Sequence, residues 1–454
     1  MSHFGLTGYA PLVLYIGAIV AFLLSIAWKP QVGLYYLIPL LPMQTVRYRL
    51  HDLPLGEKLV DVILLGVLIG LLVHAKRPTF APSPLNKAIL IFCAITYIGL
   101  WEGSLLHDMP LPIWFTDARF SDWKNYAEMM LIFFIAAGTL RTPKQMTIAI
   151  ALMCISVLLV NRSYHSTVGE RDFSHFSYDL RDAGTLGYAG ENGMGAFQAQ
   201  YAIFFLALAA FVKKKYVRWG LYAIALTSIY CLILTLSRGS YFGFLFGVMV
   251  LGLIKERKFL LMLVILVFSW QAIVPRAVQE RVLMTYEEEG GLDSSAQERV
   301  DLWQDALQVI GQNPVLGTGF DTYKFMGRVG PYQDTHNYYL KVFLELGLVG
   351  FLLFCWLIVS AFRLAWRLFR SPCEEPLMTA LGCALVATLS CTVIVNFFGD
   401  RWSYLQVNGF LWVLLGMAAR GLWLHKEEGR QVKVEVASKI RSSSPRIPLP
   451  VSHA

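Results

Sequence analysis

Long apolar runs alternate with shorter polar intervals along most of this chain. A membrane-spanning helix needs about 20 predominantly apolar residues, with a range of roughly 17–25. The candidate runs are 10–28, 32–43, 59–74, 88–106, 126–140, 146–160, 194–212, 219–236, 239–254, 259–274, 338–362, 377–398 and 404–424. The second run is short and carries Pro39 and Pro42, which predicts a broken or re-entrant segment. The pattern therefore predicts an all-α, polytopic transmembrane helical bundle of 12 or 13 spans.

The composition agrees with a membrane protein. The 454 residues are 56% hydrophobic and only 15% charged, whereas soluble domains average about 25% charged residues. Six of the seven cysteines lie in apolar runs and Cys373 lies in a basic interval, so neither a disulfide framework nor a metal site is predicted. The net charge of +8 comes without a nucleic-acid-binding pattern, and no nucleic-acid partner is expected.

Lysines and arginines gather in alternate intervals between the runs. Basic residues at 76–77, 141–144, 213–215, 255–258, 363–370 and after 426 all fall on one side, which the positive-inside rule assigns to the cytoplasm. The long polar intervals then lie on the periplasmic side. This predicts N-terminal spans in 1–274, a large periplasmic loop with short amphipathic helices in 275–337 and C-terminal spans in 338–424. Residues 425–454 are predicted to be a basic, disordered cytoplasmic tail that contacts membrane lipids.

The large loop predicts a helix that carries a charge on its apolar side. Ser295 begins a capping-box pattern, and Pro314 marks the end of the helix. The apolar half of its helical wheel holds Leu302, Trp303, Ala306, Leu307, Val309 and Ile310. Arg299 falls on the same half, in the first turn, where backbone N–H groups favour anions. Two interpretations stand: an anion site, or an ion pair with a carboxylate such as Asp321.

Two further polar residues stand at the ends of apolar runs. Arg238 is the only formally charged residue between 219 and 254, at the junction of two predicted spans. It is either a snorkelling anchor or an anion ligand in a cavity. His336 either begins the helix that follows it, with Thr335 or Asn337 as the N-cap, or acts as a general base. An unperturbed histidine pKa near 6.5 suits the second role.

The predicted topology places Arg238, Arg299 and His336 on the periplasmic side, together with Arg276, Arg281 and Arg401. No nucleoside triphosphate is supplied there, so an enzyme must use a substrate that arrives activated. A sugar on a lipid diphosphate meets this need, and arginines are suited to bind its diphosphate. Because the sequence shows no pattern of metal-binding carboxylates, arginines are expected to stabilise the leaving group.

Three motifs in residues 234–364 resemble the family of O-antigen ligases and O-antigen polymerases. They are LSRGS at 236–240, ERVDLW at 298–303 followed by NPVLGTG at 313–319, and THNYYL at 335–340 followed by ELGLVG at 345–350. Their order and their loop-then-helix setting also match. A weaker similarity is GENG at 190–193, where many relatives carry an Asn-Pro-Asn-like turn; here the proline is missing.

The resemblance implies a helical glycosyltransferase of the bacterial inner membrane. Such an enzyme moves a glycan from undecaprenyl diphosphate to an acceptor hydroxyl on the periplasmic face, with no metal or other cofactor. On matching positions it implies that Arg238 and Arg299 bind the diphosphate and that His336 acts at the acceptor hydroxyl. Further candidate substrate-binding residues are Arg276, Asn337 and Tyr338.

The acceptor stays open at this point. A ligase attaches the glycan to lipid A core, an O-antigen or exopolysaccharide polymerase joins it to a growing glycan, and a protein O-oligosaccharyltransferase attaches it to a protein. The alternative from another class is a transporter or flippase for an anionic lipid. That alternative predicts symmetric halves and charges at the membrane midplane, which the sequence does not show, so the enzyme is favoured.

Overall fold

The computed structural model describes residues 10–74, 78–113, 117–284, 294–328, 334–372 and 375–443, with side chains as far as Glu427. Features predicted at 76–77, at Cys373 and at 444–454 lie outside these ranges. The described chain is helical, without strands. Its α-helices are α1 Ala10–Ala27, α2 Gln31–Leu37, α3 Gln44–Tyr48, α4 Leu59–Val73, α5 Pro84–Leu106, α6 Ala118–Thr139, α7 Pro143–Val168, α8 Gly190–Ala209, α9 Lys215–Leu234, α10 Arg238–Ile254, α11 Lys258–Ile273, α12 Arg276–Leu283, α13 Ser294–Gln312, α14 Tyr323–Met326, α15 Tyr338–Arg370, α16 Pro376–Val395 and α17 Leu405–Ser443. The 3-10 turns are Ile38–Leu40, Gly56–Lys58, Tyr178–Leu180 and Asn396–Phe398.

The helices form a polytopic bundle, which confirms the predicted fold class. Each predicted run coincides with a helix. Among the described residues, seven helices are long and apolar enough to cross a membrane, or eight if α11 and α12, bent by 112°, count as one span. The remaining predicted spans correspond to helices that are shorter, such as α4 and α10, or less apolar, such as α6 and α8. The interval 275–337 contains α12, α13 and α14.

The broken character predicted for the second run is confirmed. Helix α2 ends at Leu37 and gives way to a 3-10 turn, because the Pro39 ring is incompatible with a continuing helix. The Arg47 guanidinium donates to the carbonyl oxygens of Leu40 and Leu41 just beyond the turn. A charged side chain from α3 thus satisfies carbonyl groups that the interrupted helix leaves without a helical partner.

Helix α15 is interrupted at Gly347, whose φ of 61° and ψ of −166° are not helical. The motif loop at residues 313–319, which precedes α15 in the chain, supplies the missing hydrogen bonds. Thr318 donates its backbone N–H to the Leu344 carbonyl (3.0 Å), and Gly319 donates to the Glu345 carbonyl (2.8 Å). A Cβ atom on Gly347 would lie 2.2 Å from a carbonyl oxygen of this loop. The glycines of both motifs therefore permit a close backbone contact that fixes the first half of α15.

Among the seven candidate spans, α16 and α17 are the most buried, with 83% and 89% of an apolar 18-residue stretch buried, whereas α1 is 17% buried and lies at the periphery. Helix α17 continues to Ser443, into the segment predicted to be a disordered tail. The physical reason is composition: this part is rich in Lys, Glu, Gln, Val and Ala, and its first proline is Pro445.

Candidate functional site

Arg299 lies on α13, the helix predicted from the large loop. The helix begins at Ser294, so Ser295, predicted to be its N-cap, lies inside it and Arg299 belongs to the second turn rather than the first. The buried face of α13 packs against the first half of α15 through Ala306, Val309 and Ile310. Leu307, predicted on this face, is 56% exposed.

Four other arginines, each from a different segment, act electrostatically on Arg299. Its pKa is lowered to about 10, first by burial and then by the positive charges of Arg238, Arg401, Arg181 and Arg281. We call these five residues the arginine cluster. They come from the loop before α8, the first residue of α10, α12, α13 and the loop before α17. Such a concentration of like charge is unfavourable without anions nearby.

The ion pair between Arg299 and Asp321, named as one alternative, is not formed among the described residues. Among the described residues, Asp321 pairs with Lys324 and lies 4.0 Å from Lys341. Within the same ranges no carboxylate lies within ion-pair distance of Arg299. The charge on α13 is therefore not accounted for by a structural pair in the part of the chain that the structure describes.

Arg238 begins α10 directly after a three-residue link from α9. The neighbouring Ser237 hydroxyl donates to Asn192 Oδ1 (2.7 Å), and Asn192 Nδ2 donates to Glu191 Oε1 (2.8 Å). Glu191 in turn pairs with Arg181. The GENG turn is thus connected to the LSRGS motif, and its Glu191 also pairs with Arg181 of the arginine cluster.

The other two arginines of the cluster are almost fully buried. Arg281 is 2% exposed, and its guanidinium lies 5.1 Å from the Phe176 ring centroid. Arg401 is 6% exposed, and its backbone N–H donates to Asn396 Oδ1 (3.0 Å). Its Nη1 donates to the Asp400 carbonyl (3.1 Å). These contacts hold both guanidinium groups in fixed positions.

His336 is bound by a nearby carboxylate. It adopts a left-handed backbone conformation with φ of 47°, and its N–H donates to Asp334 Oδ1 (2.6 Å). Its Nδ1 lies 2.9 Å from the same oxygen, so the Nδ1–H donates to Asp334; in the tautomer that this contact selects, Nε2 is the nitrogen with the lone pair. Burial acts to raise the Asp334 pKa, but the hydrogen bond and charge of His336 outweigh it, and the pKa lies well below its usual range.

The remaining predicted site residues have different positions. Asn337 is the N-cap of α15, because its side chain accepts the Tyr339 N–H (3.0 Å). Tyr338 is 3% exposed, and its hydroxyl lies 2.5 Å from that of Tyr126. Arg276 is 70% exposed, pairs with its helical neighbour Glu280 and is not among the charges that act on Arg299. The structure does not place Arg276 in the arginine cluster.

Sequence reasoning missed two members of this region. Arg181 belongs to none of the motifs. The signal that could have indicated its role was its position in a predicted periplasmic interval near GENG. Asp334 stands two residues before His336, a local spacing that could have suggested a carboxylate–histidine pair. Among the described residues, no group of three or more His, Cys, Asp or Glu side chains is placed to hold a metal ion.

The fold and these residues define a polytopic helical membrane protein with a concentration of arginine side chains around Arg299. Residues 223–355 match the family model described as O-Antigen ligase, which confirms the resemblance for a segment that includes Arg238, Arg299 and His336. This segment is therefore similar to a family of glycan-transferring ligases and polymerases. Arg181 and Arg401 lie outside the matched segment. No curated protein matches the chain.

Proposed function

We propose that this protein transfers a glycan from undecaprenyl diphosphate to an acceptor hydroxyl on the periplasmic face of the bacterial inner membrane. The observation that carries the proposal is the arginine cluster around Arg299. Guanidinium groups bind phosphate oxygens through paired hydrogen bonds. A diphosphate supplies enough negative charge and enough acceptor oxygens to engage several of them at once.

The proposed reaction is a direct displacement. The acceptor hydroxyl attacks the anomeric carbon of the donor sugar, the bond from that carbon to the diphosphate oxygen breaks, and the lipid diphosphate leaves with the electron pair. The leaving diphosphate gains negative charge as the bond breaks. The arginine cluster therefore stabilises the departing group more than the intact donor. One displacement inverts the anomeric configuration.

His336 is proposed to accept the proton of the attacking hydroxyl at Nε2. Asp334 fixes the ring through Nδ1, which leaves the basic nitrogen on the side away from the carboxylate. General-base assistance of this kind contributes about 10²–10⁴-fold in rate. Asp334 is a positioning residue in this scheme, because it acts on the acceptor only through His336.

The charge distribution supports the assignment of the site to the periplasm. The basic intervals at 141–144, 213–215, 255–258 and 363–370 alternate with those that carry the arginine cluster, and basic intervals are typically cytoplasmic. The same alternation supports an inner-membrane location.

A flippase for an anionic lipid would also bind phosphate with arginines. It has no use for a general base, however, and the carboxylate-bound His336 favours the transferase. Within the family the acceptor distinguishes a ligase, a polymerase and a protein glycosyltransferase.

The test separates donor binding from transfer in the purified protein. We expect Arg238→Ala to lose binding of undecaprenyl-diphosphate glycan, and His336→Ala and His336→Asn to bind it normally but lose single-turnover transfer. Arg162→Ala, which removes an exposed arginine at the end of α7, is the matched control. Near-wild-type transfer by His336→Asn would mean that His336 only begins α15 and takes no part in catalysis. Normal donor binding by Arg238→Ala would contradict the assignment of Arg238 to the diphosphate.

A further inference from the structure

A cavity of about 340 Å³ has Asp334 in its wall, and its lining contains none of the five arginines of the cluster. Its wall includes five carboxylates: Asp122, Asp321, Asp334, Glu345 and Asp400. The cationic side chains in the same wall are two lysines, so the cavity carries a formal excess of three negative charges. The arginine cluster and this cavity meet at consecutive residues, since Arg401 belongs to one and Asp400 to the other.

The two lysines pair with some of the carboxylates, and the formal excess of three negative charges remains after both are counted. Lys341 Nζ lies 3.2 Å from Asp400 Oδ2, and Lys324 Nζ lies 2.6 Å from Asp122 Oδ2. Glu345 is 3% exposed, and its Oε2 accepts a backbone N–H (2.9 Å). Its Oε1 has no hydrogen-bond partner among the described residues. A buried oxygen of this kind is unfavourable without a donor, which points to a ligand that donates hydrogen bonds.

The rest of the wall is aromatic, with Tyr126, Phe320, Tyr338 and Tyr404. Sugars suit such a surface, because their hydroxyl groups donate to carboxylates while their C–H faces pack against aromatic rings. The volume lies within the usual range of small-ligand pockets, about 300–1,000 Å³. Phosphate or carboxylate groups are disfavoured here, since like charges repel strongly in a partly buried site.

We propose that this cavity binds the terminal sugar of a glycan acceptor, and that it selects sugars that are uncharged or carry an amine over anionic ones. The proposal rests on the transferase function and specifies its acceptor as a glycan rather than a protein. A peptide backbone offers one N–H donor per residue, whereas a single sugar ring presents several hydroxyl donors to the carboxylates.

A second cavity of about 770 Å³ continues from the first and shares Asp122, Asn125, Ser403 and Tyr404 with it. The combined space extends beyond a single ring. The acceptor therefore has room for further sugars behind the one that reacts.

Asp122 is the residue to change, because it lines both cavities and its side chain is 48% exposed. The acceptors are one oligosaccharide in two forms, neutral and phosphorylated on the terminal sugar away from the reacting hydroxyl, and a serine-containing peptide. We expect the wild-type protein to use the neutral form with at least tenfold higher kcat/KM than the phosphorylated form. Asp122→Lys should lower the ratio of the two kcat/KM values, because the KM for the phosphorylated acceptor falls relative to the KM for the neutral one. Asp122→Asn should give an intermediate ratio. Glu170→Lys, an exposed change outside both cavities, should leave the ratio unchanged.

Binding of the neutral oligosaccharide without donor is measured in parallel on the same proteins. Equal use of both oligosaccharides by the wild type, preference for the peptide, or an unchanged ratio in Asp122→Lys would overturn the acceptor proposal. If the oligosaccharide binds and responds to Asp122 but no lipid diphosphate is ever released, the proposed transferase function fails while the sugar site stands.

Discussion

The charge on Arg299 is predicted to destabilise the folded protein in the absence of an anion. Burial and the other four arginines of the cluster lower its pKa to about 10. Each tenfold change in proton affinity corresponds to about 1.4 kcal/mol, so holding this side chain charged costs on the order of 3 kcal/mol. Because the folded pKa lies below that of the unfolded chain, this cost is present at every pH below about 10, including neutral pH.

Arg299→Met removes the charge and keeps the apolar stem of the side chain. We therefore expect the variant to be more stable than the wild type by about 1–3 kcal/mol, measured as a rise of several degrees in the thermal unfolding midpoint of the purified protein. Its transfer activity should fall by roughly 10²–10³-fold, as for other lost anion-stabilising donors.

Inorganic pyrophosphate provides the second arm of this experiment. It should raise the unfolding midpoint of the wild type, because a ligand that binds only the folded state stabilises it, and it should have little effect on Arg299→Met. The control Arg162→Met changes an exposed arginine and should alter neither the midpoint nor its response to pyrophosphate. A lower midpoint for Arg299→Met would refute the reasoning and make Arg299 a structural residue.

Asp334→Asn should slow single-turnover transfer by roughly 10²-fold with donor binding unchanged, and equal transfer by the variant would remove Asp334 from the mechanism. Because the Asp334 pKa is depressed, its carboxylate stays ionised down to below about pH 4 and is lost only as pH falls through that lowered pKa. Gly347→Ala should lower the thermal midpoint by the equivalent of at least about 1–2 kcal/mol, because alanine disfavours the positive φ at this position. Gly220 faces open space, so Gly220→Ala should leave the midpoint unchanged. Equal midpoints for the two variants would contradict the contact between Gly347 and the loop. A reporter protein that works only in the cytoplasm should be active when it is fused after Lys426. Activity of a reporter that works only in the periplasm would reverse the predicted topology.

The helical class followed from the sequence because each apolar run is long enough to bury a helix, and the helices were found there. Whether a helix crosses the membrane depends on its length and on the helices packed against it. The sequence pattern did not resolve this for α4 or α10. The interruption of α15 at Gly347 was also missed. A glycine within an apolar run does not end a helix by itself; here the break depends on hydrogen bonds from residues 313–319, a contact that local sequence does not encode.

The candidate site was predictable where a charge stood out against an apolar background. Arg238 is alone in 219–254, and Arg299 interrupts the apolar side of α13. Arg181 and Arg401 lie in polar intervals where arginine is ordinary, and they are 220 positions apart in the numbering. Only the packing of α8, α10, α13 and α17 brings them to Arg299. The fixed position of His336 likewise depends on Asp334, a neighbour that the motif alone did not reveal.

The most direct test of the central claim is the fate of the donor in purified, reconstituted protein. Undecaprenyl-diphosphate glycan and an acceptor glycan are supplied, and the lipid and glycan products are both quantified over a single turnover. The account predicts that lipid diphosphate is released in equal amount to glycan joined to the acceptor, and that this release is lost in Arg238→Ala and His336→Ala. Movement of intact donor across the membrane without cleavage would contradict the account and identify a transporter.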